Sequence, residues 1–203
     1  METLKAEHIS FGYNSKNMVL NDINFTMDNS MILGLFGDSG SGKSTFCKIL
    51  TGFIDSYKGN VLLNNKSIEN GFNPIQLIYQ HPEKIMNPRW NMGDILKESW
   101  NPSEKILNEF GIKREWFNRY PSELSGGELQ RFSILRALNP KTKFIIADEI
   151  TTMLDAVTQV QIWDSLLKYA KKYNIGVLVV SHDDKLLNKI TDRTILLDDL
   201  NKQ

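Results

Sequence analysis

ILGLFGDSGSGKSTFCKILTG, residues 32–52, sets the kind of fold this chain must adopt. Ile32, Leu33, Leu35 and Phe36 form a short apolar run bounded by glycines, the pattern of a buried strand. Gly37-Asp38-Ser39-Gly40-Ser41-Gly42-Lys43-Ser44 fits G-x-x-x-x-G-K-[ST], and Phe46, Ile49 and Leu50 follow at helical spacing. In a strand, loop and helix of this order, the glycines let successive backbone N–H groups point inward, and the helix N-terminus adds partial positive charge. Such a loop cradles phosphate oxygens, with Lys43 reaching the β- and γ-phosphates and the Ser44 hydroxyl on Mg²⁺. A chance match in a chain of ordinary composition is on the order of 1%, and the flanking strand and helix lower it further. The stretch reads as a binding site for a nucleoside triphosphate.

Around it lie 203 residues, enough for one well-buried α/β domain with a small subdomain. Twenty-four basic residues balance 24 acidic ones, so no basic excess points to nucleic acid and no like-charge block to a tail. The N-terminal METLKAEHIS lacks the apolar core of a secretory signal. No apolar run approaches the ~20 residues of a spanning helix. The expectation is a soluble chain that meets a membrane only through a partner. Cys47 is the one cysteine, which excludes an internal disulfide and predicts a small core residue in the helix after the loop.

Outward from the loop, Leu4–Ser10 and Ile23–Met27 read as strands, the latter alternating Ile23, Phe25 and Met27. Gly59–Leu63 and Ile75–Gln80 are further short strands. Between residues 81 and 120 the pattern changes: Pro82 and Pro88 interrupt it, Gly93–Trp100 and Pro102–Phe110 read as short amphipathic helices, and Trp90, Trp100 and Trp116 gather there. A small helical subdomain is expected. Helix Leu129–Leu138 then precedes strand Lys143–Ala147, helix Ala156–Tyr173, strand Gly176–Ser181, helix Asp183–Ile190 and strand Thr194–Asp198. Strands alternating with helices imply a mostly parallel sheet covered on both faces.

Ligands of such sheets sit at the carboxyl ends of strands, where the run Phe144–Ala147 delivers Asp148 and Glu149. Successive strand residues point to opposite sides, so the two acids cannot do the same job. Asp148 suits a Mg²⁺ shell and Glu149 a general base for water; the alternative is a solvated pair opening a helix. His182 follows the apolar strand Val177–Val180, which favours contact with a γ-phosphate over a purely capping role. Gln80, ending the strand Ile75–Tyr79, offers a neutral amide that could ligate Mg²⁺ or orient water. Ser125-Gly126-Gly127 opens a helix with a hydroxyl and exposed N–H groups, a second anion site. Two such sites are both needed if each serves a different nucleotide across a dimer.

These residues resemble the ATP-binding subunit of ABC transporters over essentially the whole chain. Tyr13 matches the aromatic that stacks on adenine, Gly37–Thr45 the Walker A loop, and Gln80 the Q-loop. Leu124-Ser125-Gly126-Gly127-Glu128 is the LSGGE signature, continued by Leu129-Gln130-Arg131. Asp148-Glu149 completes Walker B, Asp155 falls in the D-loop, and His182 is the switch histidine. The resemblance implies a P-loop NTPase core with a mostly parallel sheet, an N-terminal antiparallel β subdomain and a helical subdomain. Residues 1–80, 81–135 and 136–203 then divide a single ABC ATPase domain. It also implies ATP and Mg²⁺ as ligands, and a head-to-tail dimer in which Ser125, Gly126, Gly127, Glu128 and Asp155 of one chain close on the ATP of the other.

Gln80-His81-Pro82 followed by Met86-Asn87-Pro88-Arg89 is similar to a stretch of importers for peptides, nickel and metal-chelating opines. That likeness implies a second, different ATPase chain, two membrane permease subunits and an extracellular solute-binding protein, with this chain on the cytoplasmic face of the membrane. An exporter ATPase or a non-transport ABC protein is the competing reading. Ile150 stands where proline commonly follows the catalytic glutamate, which alters the backbone without removing an acid. At least two of the three tryptophans are expected to pack inside the subdomain, with Trp90 the candidate for a permease contact.

Overall fold

The computed structural model describes residues 1–14, 17–69 and 71–201. Alternating apolar residues form the first two strands: β1 (Thr3–Phe11) buries Leu4, Ala6 and Ile9, and β2 (Leu20–Asp28) buries Ile23, Phe25 and Met27. They pair antiparallel, Leu4 opposite Met27 and Ala6 opposite Phe25. Next come β3 (Ile32–Phe36), α1 (Lys43–Leu50) and β4 (Lys58–Leu63), the last returning antiparallel to β1. Asn64 and Asn65 both take positive φ, 54° and 62°. Two such residues suit the tight hairpin whose twist matches its strands, and they lead into β5 (Lys66–Ser67). This sheet runs in the order β2-β1-β4-β5.

The chain continues through β6 (Ile75–Ile78), a 3₁₀ turn at Pro82–Lys84, α2 (Met92–Ser99) and α3 (Glu104–Glu109). Further 3₁₀ turns at Arg114–Asn118 and Pro121–Glu123 lead to α4 (Gly126–Ala137). Then β7 (Phe144–Asp148), α5 (Ala156–Tyr173), β8 (Gly176–Ser181), α6 (Asp184–Ile190), β9 (Arg193–Leu196) and α7 (Leu197–Leu200) complete it. The second sheet has the order β6-β7-β8-β3-β9, with every pair parallel.

Because its central strands are apolar on both faces, this sheet separates two cores. Leu33, Leu35, Phe144, Ile146, Leu178 and Val180 pack with α1 and the antiparallel sheet. Ile32, Ile145, Ala147, Val177 and Val179 pack with α4, α5 and the helices between residues 92 and 116. The alternation carries into the site: Asp148 continues the Phe144, Ile146 series toward α1, and the next residue leaves on the other side. The α/β architecture with its parallel core sheet and N-terminal antiparallel sheet is as the sequence indicated, and Cys47 is fully buried.

Several boundaries differ by one to three residues, and three of the differences have a clear physical cause. β6 stops at Ile78, paired with Ala147, so Gln80 lies in the following loop rather than at a strand end; Pro82 restricts the backbone of His81 and starts a turn. The helix expected from Leu129 begins at Gly126, because Ser125 caps it and Glu128 reaches back to the Ser125 N–H at 2.9 Å. The last strand ends at Leu196 instead of Asp198. Leu197 is fully buried, and Asp198 and Asp199 favour the positive N-terminus of a new helix, α7.

Candidate active site

The phosphate loop joins β3 to α1. Gly42 precedes the helix with φ 103° and supplies no side chain to cap it, so the first-turn N–H groups have no partner within the helix. Lys43 is almost wholly buried and donates from Nζ to Gly37 O and Asp38 O, each at 2.7 Å. The ammonium is thereby tied to the loop backbone, and the buried Ser41 Oγ has no hydrogen-bond partner. Tyr13, 67% exposed, sits beside the same helix: its hydroxyl is 3.1 Å from Thr45 Oγ1 and its ring stands edge-on to Phe11. A Cβ on Gly42 would lie 2.9 Å from Val19 Cγ1 and would also be strained at that φ. Gly42→Ala is therefore expected to cost about 1–3 kcal/mol of stability, read from a denaturant melt, with weaker ATP binding. A melt and an affinity equal to those of the unsubstituted chain would contradict this reading of the loop.

At the end of β7 the two acids have different surroundings. Burial pushes the Asp148 carboxyl above its ordinary value; the Ser44 hydroxyl lowers it, Glu149 adds to the rise, and Lys43 and Lys48 lower it. Asp148 Oδ1 is buried with no hydrogen-bond partner among the described residues. Glu149 adopts φ 50°, a strained conformation for a residue with a side chain, and its N–H donates to Val180 O at 3.0 Å. That turn brings Glu149 Oε1 to 3.0 Å from His182 Nδ1, the residue after β8. Ile150 is buried in the core beneath, which is what the apolar side chain does at this position.

Two threonines that the sequence reading passed over complete the turn. Thr152 Oγ1 donates to Glu149 O at 3.1 Å and accepts from Gln80 Nε2 at 2.9 Å, so the Gln80 amide is tied to the glutamate's own backbone. Thr151 Oγ1 accepts from Gln159 Nε2 at 2.9 Å and from Trp163 Nε1 at 3.1 Å. A polar pair two residues past the acids was the available signal.

A separate group forms around α4. Ser125 Oγ accepts from Glu128 N at 3.4 Å, so Ser125 and Glu128 cap the helix reciprocally. Gly127 abuts the start of α5: a Cβ there would meet Thr158 Cγ2 at 2.8 Å. Asp155 caps α5, accepting from Val157 N, Thr158 N and Thr158 Oγ1, and the Thr158 hydroxyl, ahead of the backbone bonds, holds its carboxyl below the usual range. No hydrogen bond or ion pair joins Ser125–Glu128 to residues 37–45 among the described residues. Of the tryptophans, Trp116 is buried, Trp100 donates to Leu135 O at 2.6 Å, and Trp90 is 42% exposed.

The oxygen donors fit a small hard cation. Asp148 supplies an unpartnered buried oxygen, the Ser44 hydroxyl lies beside it, and Gln80 supplies an amide oxygen. A carboxylate, a hydroxyl and an amide oxygen are the hard donors that Mg²⁺ takes. No helix among the described residues is long and apolar enough to cross a membrane.

Residues 20–152 match the family model described as ABC transporter. A nickel import system ATP-binding protein, NikE of Staphylococcus aureus (strain bovine RF122 / ET3-1), is 34% identical over 97% of this chain and 87% of its own. NikE of strain N315 is 33% identical over the same shares. An ATP-binding cassette solved as a dimer in a post-hydrolysis state with ADP and Pi superposes with TM-score 0.79, at 23% identity over 95% of this chain and 93% of that one. The structure of cbiO1 from Clostridium perfringens, part of the ABC transporter complex cbiONQ, gives 0.77 at 22% identity over 95% and 83%.

Proposed function

The chain belongs to the ABC transporter family and is an ATPase of it, and we propose that it is the ATP-hydrolysing subunit of an importer for nickel, small peptides or metal–metallophore complexes. The observation carrying the catalytic part is the 3.0 Å contact between Glu149 and His182, at the strand ends beside a phosphate loop with a buried lysine. Support for import comes from the likeness to NikE and from the Gln80-His81-Pro82 and Asn87-Pro88-Arg89 stretch.

In this reading the loop N–H groups of residues 37–45 bind the phosphates of ATP, and Tyr13 stacks on adenine. Glu149 accepts a proton from the water whose oxygen attacks the γ-phosphorus, while the bond to the bridging oxygen breaks and ADP leaves. Lys43 and His182 neutralise charge building on the γ-phosphate oxygens, and Gln80 orients the water. Ser44, Gln80 and Asp148 would hold Mg²⁺, which would supply charge neutralisation for the phosphates. Ser125, Gly126, Gly127, Glu128 and Asp155 serve the ATP of a second ATPase subunit, a different chain in the importer reading.

The single ATPase domain comprises residues 1–80, a helical subdomain at 81–135 and residues 136–203. It works at the cytoplasmic face of the membrane through two permease subunits, one of them contacting exposed Trp90, below an extracellular solute-binding protein. The deciding experiment is uptake of radiolabelled nickel, of nickel chelates and of labelled di- and oligopeptides in a deletion strain. One of the three is expected to fall to background and to return with the intact gene but not with Glu149→Gln. Normal uptake of all three would overturn the import assignment.

A further inference from the structure

Between α5 and α6 runs a groove of about 670 Å³ that the catalytic reading does not use. Its floor is apolar, from Val160, Trp163, Leu167, Leu186 and Ile190, with Val160 67% exposed. Along α5 the floor residues recur at helical spacing, 160, 163 and 167, the pattern that accepts the apolar face of another helix. The rim is basic. Lys168 is paired with Asp164 at 2.8 Å, and Asp183 is committed to capping α6 through the N–H groups of Lys185 and Leu186. Lys171, Lys185 and Lys189 are exposed and have no ion pair among the described residues. The stretch of α5 from Ala156 to Lys171 is about 22 Å long, room for roughly four helical turns.

The groove is also wired to the glutamate. Gln159 and Trp163 both line it, and both hydrogen-bond Thr151, two residues past Glu149. Its other wall, α6, starts directly after His182 and Asp183. One wall is thus hydrogen-bonded to the turn that follows Glu149, and the other begins two residues after His182.

We propose that this lysine-rimmed groove receives an acidic amphipathic helix of a partner protein and, by shifting Gln159 and Trp163 against Thr151, sets the hydrolysis rate. Charge decides the occupant: four lysines against Asp164 and Asp183 leave a net positive rim around the apolar floor, which favours glutamate-flanked leucines over a second basic or neutral surface. The rate effect rests on the ATPase reading; the docking does not.

The test uses the full chain and a fluorescein-labelled helical peptide of about 16 residues with leucines at i, i+4, i+7 and i+11 flanked by glutamates, beside a twin with lysines for the glutamates. Fluorescence anisotropy is expected to show saturable binding of the acidic peptide, at least about tenfold tighter than its twin and weakened by salt. Lys171→Glu/Lys189→Glu is expected to reverse the preference, and saturating acidic peptide to change phosphate release by the assembled complex at least about twofold. Equal binding of the two peptides, binding unchanged in the charge-reversed variant, or bound peptide with an unaltered rate overturns the proposal. So does binding of anionic vesicles in place of the peptide, or self-association that buries the groove. Absence of any hydrolysis by the assembled complex would overturn the ATPase reading instead, and the charge-reversal comparison on the chain alone would still decide the groove.

Discussion

Glu149→Gln is expected to bind ATP with near-native affinity and to hydrolyse it about 10²–10⁴ times more slowly, the usual loss when a positioned proton acceptor is removed. Glutamine keeps the shape of the side chain and can still meet His182, so the strained turn at φ 50° and the Thr152 bond to the residue-149 carbonyl have no reason to change. What disappears is the negative charge proposed to take the proton of the attacking water. Binding survives because the phosphate grip lies in residues 37–45, on the α1 side of the sheet. The measurement is phosphate release by the assembled complex, set beside equilibrium binding of a fluorescent ATP analogue. Turnover within a few-fold of the unsubstituted chain would remove Glu149 from the base role and shift attention to His182.

That substitution also separates what the sequence could reveal from what it could not. The loop was legible because its chemistry is local: strand, glycines, lysine and helix are contiguous, and each residue type answers a constraint of its own backbone. The parallel sheet was legible because strands buried on both faces must read as unbroken apolar runs, as Ile145 to Ala147 and Val177 to Val180 do. The different placement of Asp148 and Glu149 followed from strand periodicity, and their surroundings differ accordingly, one beside Ser44 and the other beside His182.

Tertiary contacts wrote the rest. Gln80 falls outside β6 because a neighbouring strand and a proline two residues on set the boundary, neither visible in the alternation itself. The left-handed backbone of Glu149 has no composition cue. β5, two residues long, cannot carry a periodic signal, and α7 arises because Leu197 finds a core to enter. The groove between α5 and α6 depends on how two helices far apart in sequence lie together, and the lysines on each read separately as ordinary solvated faces.

Lys43→Ala is expected to weaken ATP binding by at least about 100-fold, close to 3 kcal/mol at 1.4 kcal/mol per factor of ten. The estimate follows from what the ammonium does. It donates to Gly37 O and Asp38 O at 2.7 Å, and hydrogen bonds to a charged group contribute about 1.5–3 kcal/mol each. Alanine leaves both carbonyls without their donor, one of them on buried Gly37, and removes the positive charge proposed to meet the γ-phosphate. The loop then loses its shape and its electrostatic grip together, unlike Glu149→Gln, which spares both. Lys43→Arg separates the two contributions. Its charge is kept, but the planar fork cannot enter a site where a compact ammonium is 5% exposed, so it is expected to restore little binding. Isothermal titration with ATP, beside circular dichroism to confirm that both variants fold, makes the comparison. Native-like affinity in folded Lys43→Ala, or ATP-dependent uptake by a complex carrying it, would mean that the triphosphate is held elsewhere in the chain.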